Sequence, residues 1–255
     1  MNSKPKIAIV TGGSKGIGKS IALQLASEGT LVIIQYCKDK DQATDTLHNI
    51  QAAGGIAYLV QADFSKPEEA ENFFEEKIDP ITKEINKEDT HFDILVNNAG
   101  VFKEGDIHSV TADEFDFIFN VNAKSVLLLM KQAFSRINSG GRIINISSGA
   151  SVQADSKSLL YGLSKSVIDN LTLALTAEYG KIGVTVNAIA PGPTETAMVK
   201  EFSNEMAKKF IGRKTALNRI GQPNDIAKVV SFLISENGEW VNGTRLEVNG
   251  GYNKI

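Results

Sequence analysis

A doubly wound α/β fold, a seven-stranded parallel sheet with helices on both faces, is what this sequence predicts. Three observations carry that expectation. Short β-branched runs alternate with longer amphipathic stretches along all 255 residues. Several runs are continuously apolar rather than alternating, the pattern of parallel strands covered on both faces. No linker or low-complexity segment interrupts the repetition, so one domain over 1–255 is expected, with right-handed crossovers.

The first strand is "KIAIVT" (6–11), followed by the helical stretch "GKSIALQLASEG", which ends at Gly29 as a C-cap. "LVIIQY" (31–36) is the second strand, and its helix closes at Gly54-Gly55. "IAYLVQA" (56–62) leads into "KPEEAENFFEEKIDPITKEI". Pro67 and the acidic residues behind it start that helix, and Pro80 kinks or breaks it. The polar segment 84–93 lacks periodicity and reads as an extended surface connection. "DILVNN" (93–98), "RIINIS" (142–147), "VTVNAIA" (184–190) and "TRLEVNG" (244–250) complete the strands, with long helices at about 112–137 and 157–181. Weak periodicity over 194–222 predicts a substrate lid.

Composition narrows the function classes. Apolar residues make up 42 % and charged residues 22 %, a globular balance that needs no staple. A net charge of −3 gives no footprint for nucleic acid or an anionic membrane. The single cysteine, Cys37, and the scattered His48, His91 and His108 predict neither a disulfide nor a metal site. The apolar run of "MNSKPKIAIVTGG" is too short for a signal peptide or membrane span, so a soluble, cytoplasmic protein is expected.

"VTGGSKGIGK" joins the first strand to the first helix. Gly12, Gly16 and Gly18 let the backbone turn tightly beside a phosphate, and the helix N-terminus offers free N–H groups to it. That is the Rossmann-type arrangement, with the spacing T-G-x-x-x-G-x-G. The second strand ends in Tyr36, Cys37 and Lys38, where an NAD site places a carboxylate. Lys15 and Lys38 are placed to attract a 2′-phosphate, so NADP(H) is favoured over NAD(H), although Asp39 and Asp41 lie farther into the loop. Asp63, at the end of the third strand, is either a turn residue or an adenine ligand.

Tyr161 and Lys165 lie four residues apart and share one helical face. A nearby ammonium favours phenolate and brings a phenol toward acid–base work near neutral pH. Ser148 and Ser147 end the central strand, where α/β sheets place ligands; strand geometry leaves the choice between them open. "NNAG" ends the fourth strand with small residues. Asn122, inside a helical pattern, competes for backbone hydrogen bonds and signals a bulge or a bound water.

Together "TGGSKGIG", "NNAG", "NVNA", "ISS", "YGLSK" and "NAIAPGPTET" resemble the classical short-chain dehydrogenase/reductase family, in family order, and "VNGTRLEVNGG" resembles its closing strand. The resemblance implies catalysis by Asn122, Ser148, Tyr161 and Lys165: Tyr161 as acid/base, Lys165 lowering its pKa and binding the nicotinamide ribose, Asn122 holding a relay water. A thirteen-residue gap to the tyrosine selects Ser148 to orient the carbonyl. The cofactor would be held by Gly12, Ser14, Lys15, Gly16, Ile17, Gly18, Tyr36, Lys38, Asp63, Phe64, Asn98, Ala99, Gly100, Tyr161, Lys165, Pro191, Gly192, Thr194 and Thr196. Lys15, just before the second motif glycine, implies NADP. The tyrosine motif lacks the longer spacing of enoyl reductases, and the 81–92 connection is longer than is usual in the family.

Within the family the chain looks most like 3-oxoacyl-[acyl-carrier-protein] reductases, which implies reversible reduction of a ketone to a secondary alcohol on an acyl thioester. Those reductases carry two arginines to meet the carrier; Ser139 and Ile182 stand there, with Arg136, Arg142 and Lys181 nearby. A small ketone, a steroid or a sugar is the alternative substrate, and a non-catalytic NADP-binding regulatory protein the alternative of another class. Met198, Phe202, Met206 and Phe210 suit a pocket wall or ordinary helix packing. The resemblance also implies a homotetramer.

Overall fold

The computed structural model describes residues 5–153, 155–198 and 204–253. Seven parallel strands form one sheet in the order β3-β2-β1-β4-β5-β6-β7. They are β1 Ile7–Val10, β2 Leu31–Tyr36, β3 Ala57–Gln61, β4 Phe92–Asn97, β5 Ile137–Ile146, β6 Thr185–Pro191 and β7 Arg245–Val248. Strand order reverses between β1 and β4, and the crevice outside their carboxyl ends is where such sheets bind ligands.

Alternate residues of each strand feed two separate cores. Ile7, Ile9 and Ile33 face a layer containing Phe73, Phe74, Met130 and Tyr179. Ala8, Val10 and Ile34 face a layer containing Ile21, Leu25, Val230 and Leu233. Burial on both faces is why these strands read as unbroken apolar runs.

The helices are α1 Gly16–Ser27, α2 Lys40–Ala52, α3 Pro67–Glu71, α4 Asp79–Asn86, α5 Ala112–Phe119, α6 Ser125–Ala133, α7 Leu159–Gly180, α8 Glu205–Arg213 and α9 Pro223–Ile234. Pro80 lies in the first turn of α4, directly after a π turn at Phe74–Ile78, so the expected single helix is divided just before the proline. The polar stretch from 84 is not an extended connection at its start. It finishes α4, and Lys87 and Glu88 adopt positive φ to end the helix before β4.

The helix expected over 112–137 stops at Ala133 and is interrupted by a second π turn at Asn120–Lys124. Its last apolar residue, Ile137, pairs with Phe92 as the start of β5. The lid region contains α8, whose Met206 and Phe210 side chains are exposed rather than part of a pocket wall. Phe202 lies outside the described residues. None of the described helices is long and apolar enough to cross a membrane.

Candidate active site

The glycine turn folds back on β4. Thr11 accepts from the backbone N–H groups of Asn98 and Ala99, both at 2.9 Å, and Asn98 donates its side-chain amide to the carbonyls of Thr11 and Gly12. Gly18 packs so closely that a Cβ there would sit 2.3 Å from the Gly12 oxygen. Gln35 anchors the turn from β2: it accepts from the Gly12 N–H at 2.8 Å and donates to the Ala62 carbonyl at 2.7 Å. Sequence reasoning missed Gln35, because a polar residue inside an apolar strand gave only a weak sign. Helix α1 has neither a side-chain cap nor an acidic residue in its first turn, so its leading N–H groups remain available to an anion.

A cleft of about 940 Å³ runs from this turn to the ends of β5 and β6. Gly12, Ser14, Lys15, Gly16, Ile17, Gly18, Lys38, Asp63, Phe64, Asn98, Ala99, Gly100, Ser148, Tyr161, Lys165, Pro191, Gly192, Thr194 and Thr196 all line it. Two expected site residues do not. Tyr36 is buried and paired with Gln61 in the sheet, so its neighbours Gln35, Cys37, Lys38 and Asp39 line the cleft instead. The reason is strand alternation, which turns successive side chains to opposite faces.

Asn122 is the other exception. It is fully buried in the π turn. Its amide accepts from the Val101 N–H at 2.8 Å and donates to the Val101 carbonyl at 2.9 Å and the Ser164 hydroxyl at 3.0 Å. The asparagine therefore holds the loop after β4 against α7. A Cβ at Gly100 would lie in ordinary contact, 3.4 Å from the Asn122 oxygen and 3.5 Å from the Lys165 ammonium, so the loop after β4 passes directly beside both groups.

At the adenosine end, Lys15 pairs with Asp39 at 2.5 Å, both partly exposed. Asp63 accepts from the Ser65 N–H at 3.1 Å and hydroxyl at 2.7 Å. Burial alone would raise the Asp63 carboxyl, but the bonds from Ser65 and the Cys37 thiol hold it below its ordinary value. Burial and the same carboxylate push the Cys37 thiol up.

At the other end, β5 and α7 bring three groups together. Ser147 is buried and turned toward the Lys165 carbonyl, while the Ser148 hydroxyl lies near enough to the Tyr161 phenol to favour its ionised form. That separates the two serines which strand geometry alone left open. Phe102 stands edge-on to Tyr161, with ring centroids 5.1 Å apart. The Lys165 ammonium is 6.0 Å from the Tyr161 ring centroid and donates to the Ile146 carbonyl at 2.8 Å.

The electrostatics differ from the expected sense. Burial raises the Tyr161 phenol, and the Ser148 hydroxyl only partly opposes it. Lys165 is the group brought toward neutrality: burial lowers it to about 8 against the attraction of Asp169. Burial dominates both shifts, and the ammonium is bonded to the Ile146 carbonyl rather than to the phenol.

Comparison with known proteins agrees with this architecture. The model of the family described as Enoyl-(Acyl carrier protein) reductase matches residues 12–253. Versicolorin reductase stcU of Emericella nidulans is 34 % identical over 261 residues, covering 96 % of this chain and 95 % of that one. A probable tetrahydroxynaphthalene reductase of Zymoseptoria tritici is 32 % identical over 260 residues, covering 96 % and 93 %. The crystal structure of the angucycline C-6 ketoreductase LanV with bound NADP superimposes with a TM-score of 0.92 at 35 % identity, covering 98 % of this chain and 96 % of that one. With the Ser148–Tyr161–Lys165 group at the end of a Rossmann-type cleft, the chain belongs to the classical short-chain dehydrogenase/reductase family, oxidoreductases acting on CH–OH and ketone groups.

Proposed function

We propose that this protein is an NADP(H)-dependent ketoreductase that reduces a ketone carried on an apolar ring system to a secondary alcohol. The observation that carries the reading is the convergence of Ser148, Tyr161 and Lys165 on one cleft continuous with the glycine turn. The uncapped α1 N-terminus and the Gly12–Gly18 approach fit a pyrophosphate, and Gly100 and Lys165 line the same cleft farther along. Lys15 and Lys38 favour a 2′-phosphate, and LanV was solved with NADP. Bound NADPH supplies the hydride.

Ser148 and Tyr161 hydrogen-bond the substrate oxygen and fix the ketone. As charge builds on that oxygen, Tyr161 delivers its proton, which completes the alcohol. A phenol kept protonated by burial is poised as a donor. The Lys165 charge stabilises the phenolate left behind and holds the ribose. Asn122 keeps the Val101 loop and α7 in register beneath them.

Two features favour a ring ketone over a carrier-bound thioester. Phe102, Phe117, Val121, Met198 and Tyr252 give the substrate end an apolar, aromatic wall. The cations near a carrier-binding position are already engaged. Arg136 is clamped by Asp79, Lys181 is paired with Glu178, and Arg142 donates to the carbonyls of Gly140 and Gly141. The named relatives that act on versicolorin, tetrahydroxynaphthalene and angucycline support the same class.

The assay is loss of 340 nm absorbance with NADPH or NADH and a panel of ketones. Bicyclic and tricyclic aryl ketones are expected to give the highest kcat/KM, above aliphatic ketones, steroids, sugars and a 3-oxoacyl thioester. Preference for the thioester overturns the substrate class, tighter binding of NADH overturns the cofactor, and cofactor binding without any turnover overturns the enzyme reading. A cytoplasmic homotetramer is part of the same proposal. Exposed Leu163, Val167 and Leu173 on α7, Phe232 on α9 and Trp240 between α9 and β7 supply apolar surface for it, and a monomer in sedimentation at micromolar concentration refutes it.

A further inference from the structure

Behind the cleft, and outside its wall, lies an ion pair that the reaction as described does not use. Arg245 opens the edge strand β7 and reaches across the end of the sheet. Its Nε donates to Asp169 Oδ2 at 2.9 Å and to the Ser151 hydroxyl at 3.2 Å, and its Nη2 donates to the Ser148 carbonyl at 3.1 Å. Its Nη1 reaches Glu247 at 3.1 Å. The Ser148 carbonyl also accepts from the Ser151 hydroxyl at 2.9 Å. Asp169 sits one helical turn after Lys165 on α7, and the side chains of Arg245 and Asp169 are only 19 % and 14 % exposed.

We propose that Arg245 is a positioning residue for the reaction, clamping the Ser148 backbone to the Tyr161–Lys165 helix, with Asp169 as its anchor on that helix. One planar guanidinium bonds both elements at once. That fixes the turn bearing Ser148 relative to the helix bearing Tyr161, independently of the short segment joining them. A lysine at 245 supplies charge but no rigid fork, so it cannot hold both partners in one plane. The proposal rests on Ser148, Tyr161 and Lys165 being the reacting groups.

The clamp also fixes a charge. Facing Lys165 are Tyr161 and Asp169 on its own helix, the Ile146 carbonyl and Ser147 from β5, Gly100 after β4 and Asn122 in the π turn. Arg245 and Glu247 of β7 stand behind Asp169. Asp169 attracts the Lys165 proton, and Arg245 is bonded to Asp169. Removing the guanidinium therefore strengthens the hold of Asp169 on the Lys165 proton, while removing the carboxylate abolishes it.

The test uses the full chain with NADPH and an aryl ketone, comparing Arg245→Gln, Arg245→Lys, Asp169→Asn and the double variant D169N/R245Q. The measurements are kcat, KM, NADPH affinity by fluorescence, and the pH dependence of kcat. Both Arg245 variants are expected to lose roughly ten- to a hundredfold in kcat, with NADPH affinity near the wild-type value. The pH profile moves upward in Arg245→Gln and downward in Asp169→Asn. The double variant leaves neither charge unpaired, so it folds even where a single variant does not, and its kcat stays low because the Ser148 clamp is absent. Full kcat in the double variant, or unmoved pH profiles in both single variants, assigns the pair to stability alone and overturns the proposal. Tyr161→Phe is the control. If it keeps full activity, the catalytic assignment fails; if it is inactive while Arg245→Gln matches wild type, only this inference fails.

Discussion

Replacing Lys165 with methionine tests the buried ammonium directly. The side chain is 4 % exposed, and its pKa falls from 10.5 to about 8. Below about pH 8 the lysine is charged in both the folded and the unfolded chain, and folding bears the whole cost of burying it. Between about 8 and 10.5 the unfolded chain still binds the proton that the folded one has released, so stability rises with pH. The gap corresponds to about 3 kcal/mol over the full window, of which about 2 kcal/mol falls between pH 7 and 9.5. Methionine does not titrate. It also loses the bond to the Ile146 carbonyl, a penalty that is the same at every pH. Urea unfolding of cofactor-free wild type and Lys165→Met, repeated from pH 6.5 to 9.5, should therefore show wild type gaining about 2 kcal/mol relative to the variant across pH 7–9.5. Parallel curves would refute the reasoning, because they would mean that Lys165 has no depressed pKa in the folded protein.

Three further perturbations probe other parts of the site. Tyr161→Phe removes the proton donor and should lower kcat by roughly 10²- to 10⁴-fold while NADPH still quenches protein fluorescence with wild-type affinity. Gly18→Ala places a methyl 2.3 Å from the Gly12 oxygen and 2.4 Å from the Asn98 amide nitrogen, so NADPH binding should be lost and the melting temperature should fall; unchanged binding would mean that the turn does not approach the pyrophosphate. Asp39→Asn frees Lys15 from its 2.5 Å partner and removes an anion from the cleft. It should raise the NADPH-to-NADH ratio of kcat/KM severalfold, with an effect that shrinks in high salt.

The sequence made the sheet legible because its strands are buried on both faces, so each appears as an apolar run such as "IAIV" or "LVIIQY". It was least legible where polarity and pairing conflict. The pattern predicts a helix to about 137 and a strand from 142, yet Ile137 pairs with Phe92 and begins β5 ahead of a register shift. The π turn at Asn120–Lys124 announced itself only as an awkward Asn122 in a helical pattern, and the structure supplied the bulge. The reacting residues could be read because family motifs keep their order along a chain. Their electrostatics could not, because spacing puts Tyr161 and Lys165 on one face but does not reveal that the ammonium turns to a β5 carbonyl. Contacts between distant segments were equally invisible: Arg245 and Asp169 lie 76 residues apart, and Gln35 meets Gly12 across 23.

Those hidden contacts explain how a short stretch of strand can set a reaction geometry. Three successive residues at the end of β5 each address α7 differently. Ile146 offers its carbonyl to the Lys165 ammonium, Ser147 its hydroxyl to the Lys165 carbonyl, and the Ser148 hydroxyl lies near the Tyr161 phenol and favours its ionised form. Strand alternation makes this possible, because Ser147 is buried against the Lys165 carbonyl while Ser148 is only partly buried. The helix in turn comes close at Gly162, where a Cβ would lie 3.0 Å from the Ala150 carbonyl. A slip of one residue between β5 and α7 would therefore exchange the two serines and leave a buried ammonium without its acceptor, at a cost of several kcal/mol for the unpaired charge. The same burial that depresses the lysine pKa thus also penalises every register but the one that brings Ser148 to Tyr161.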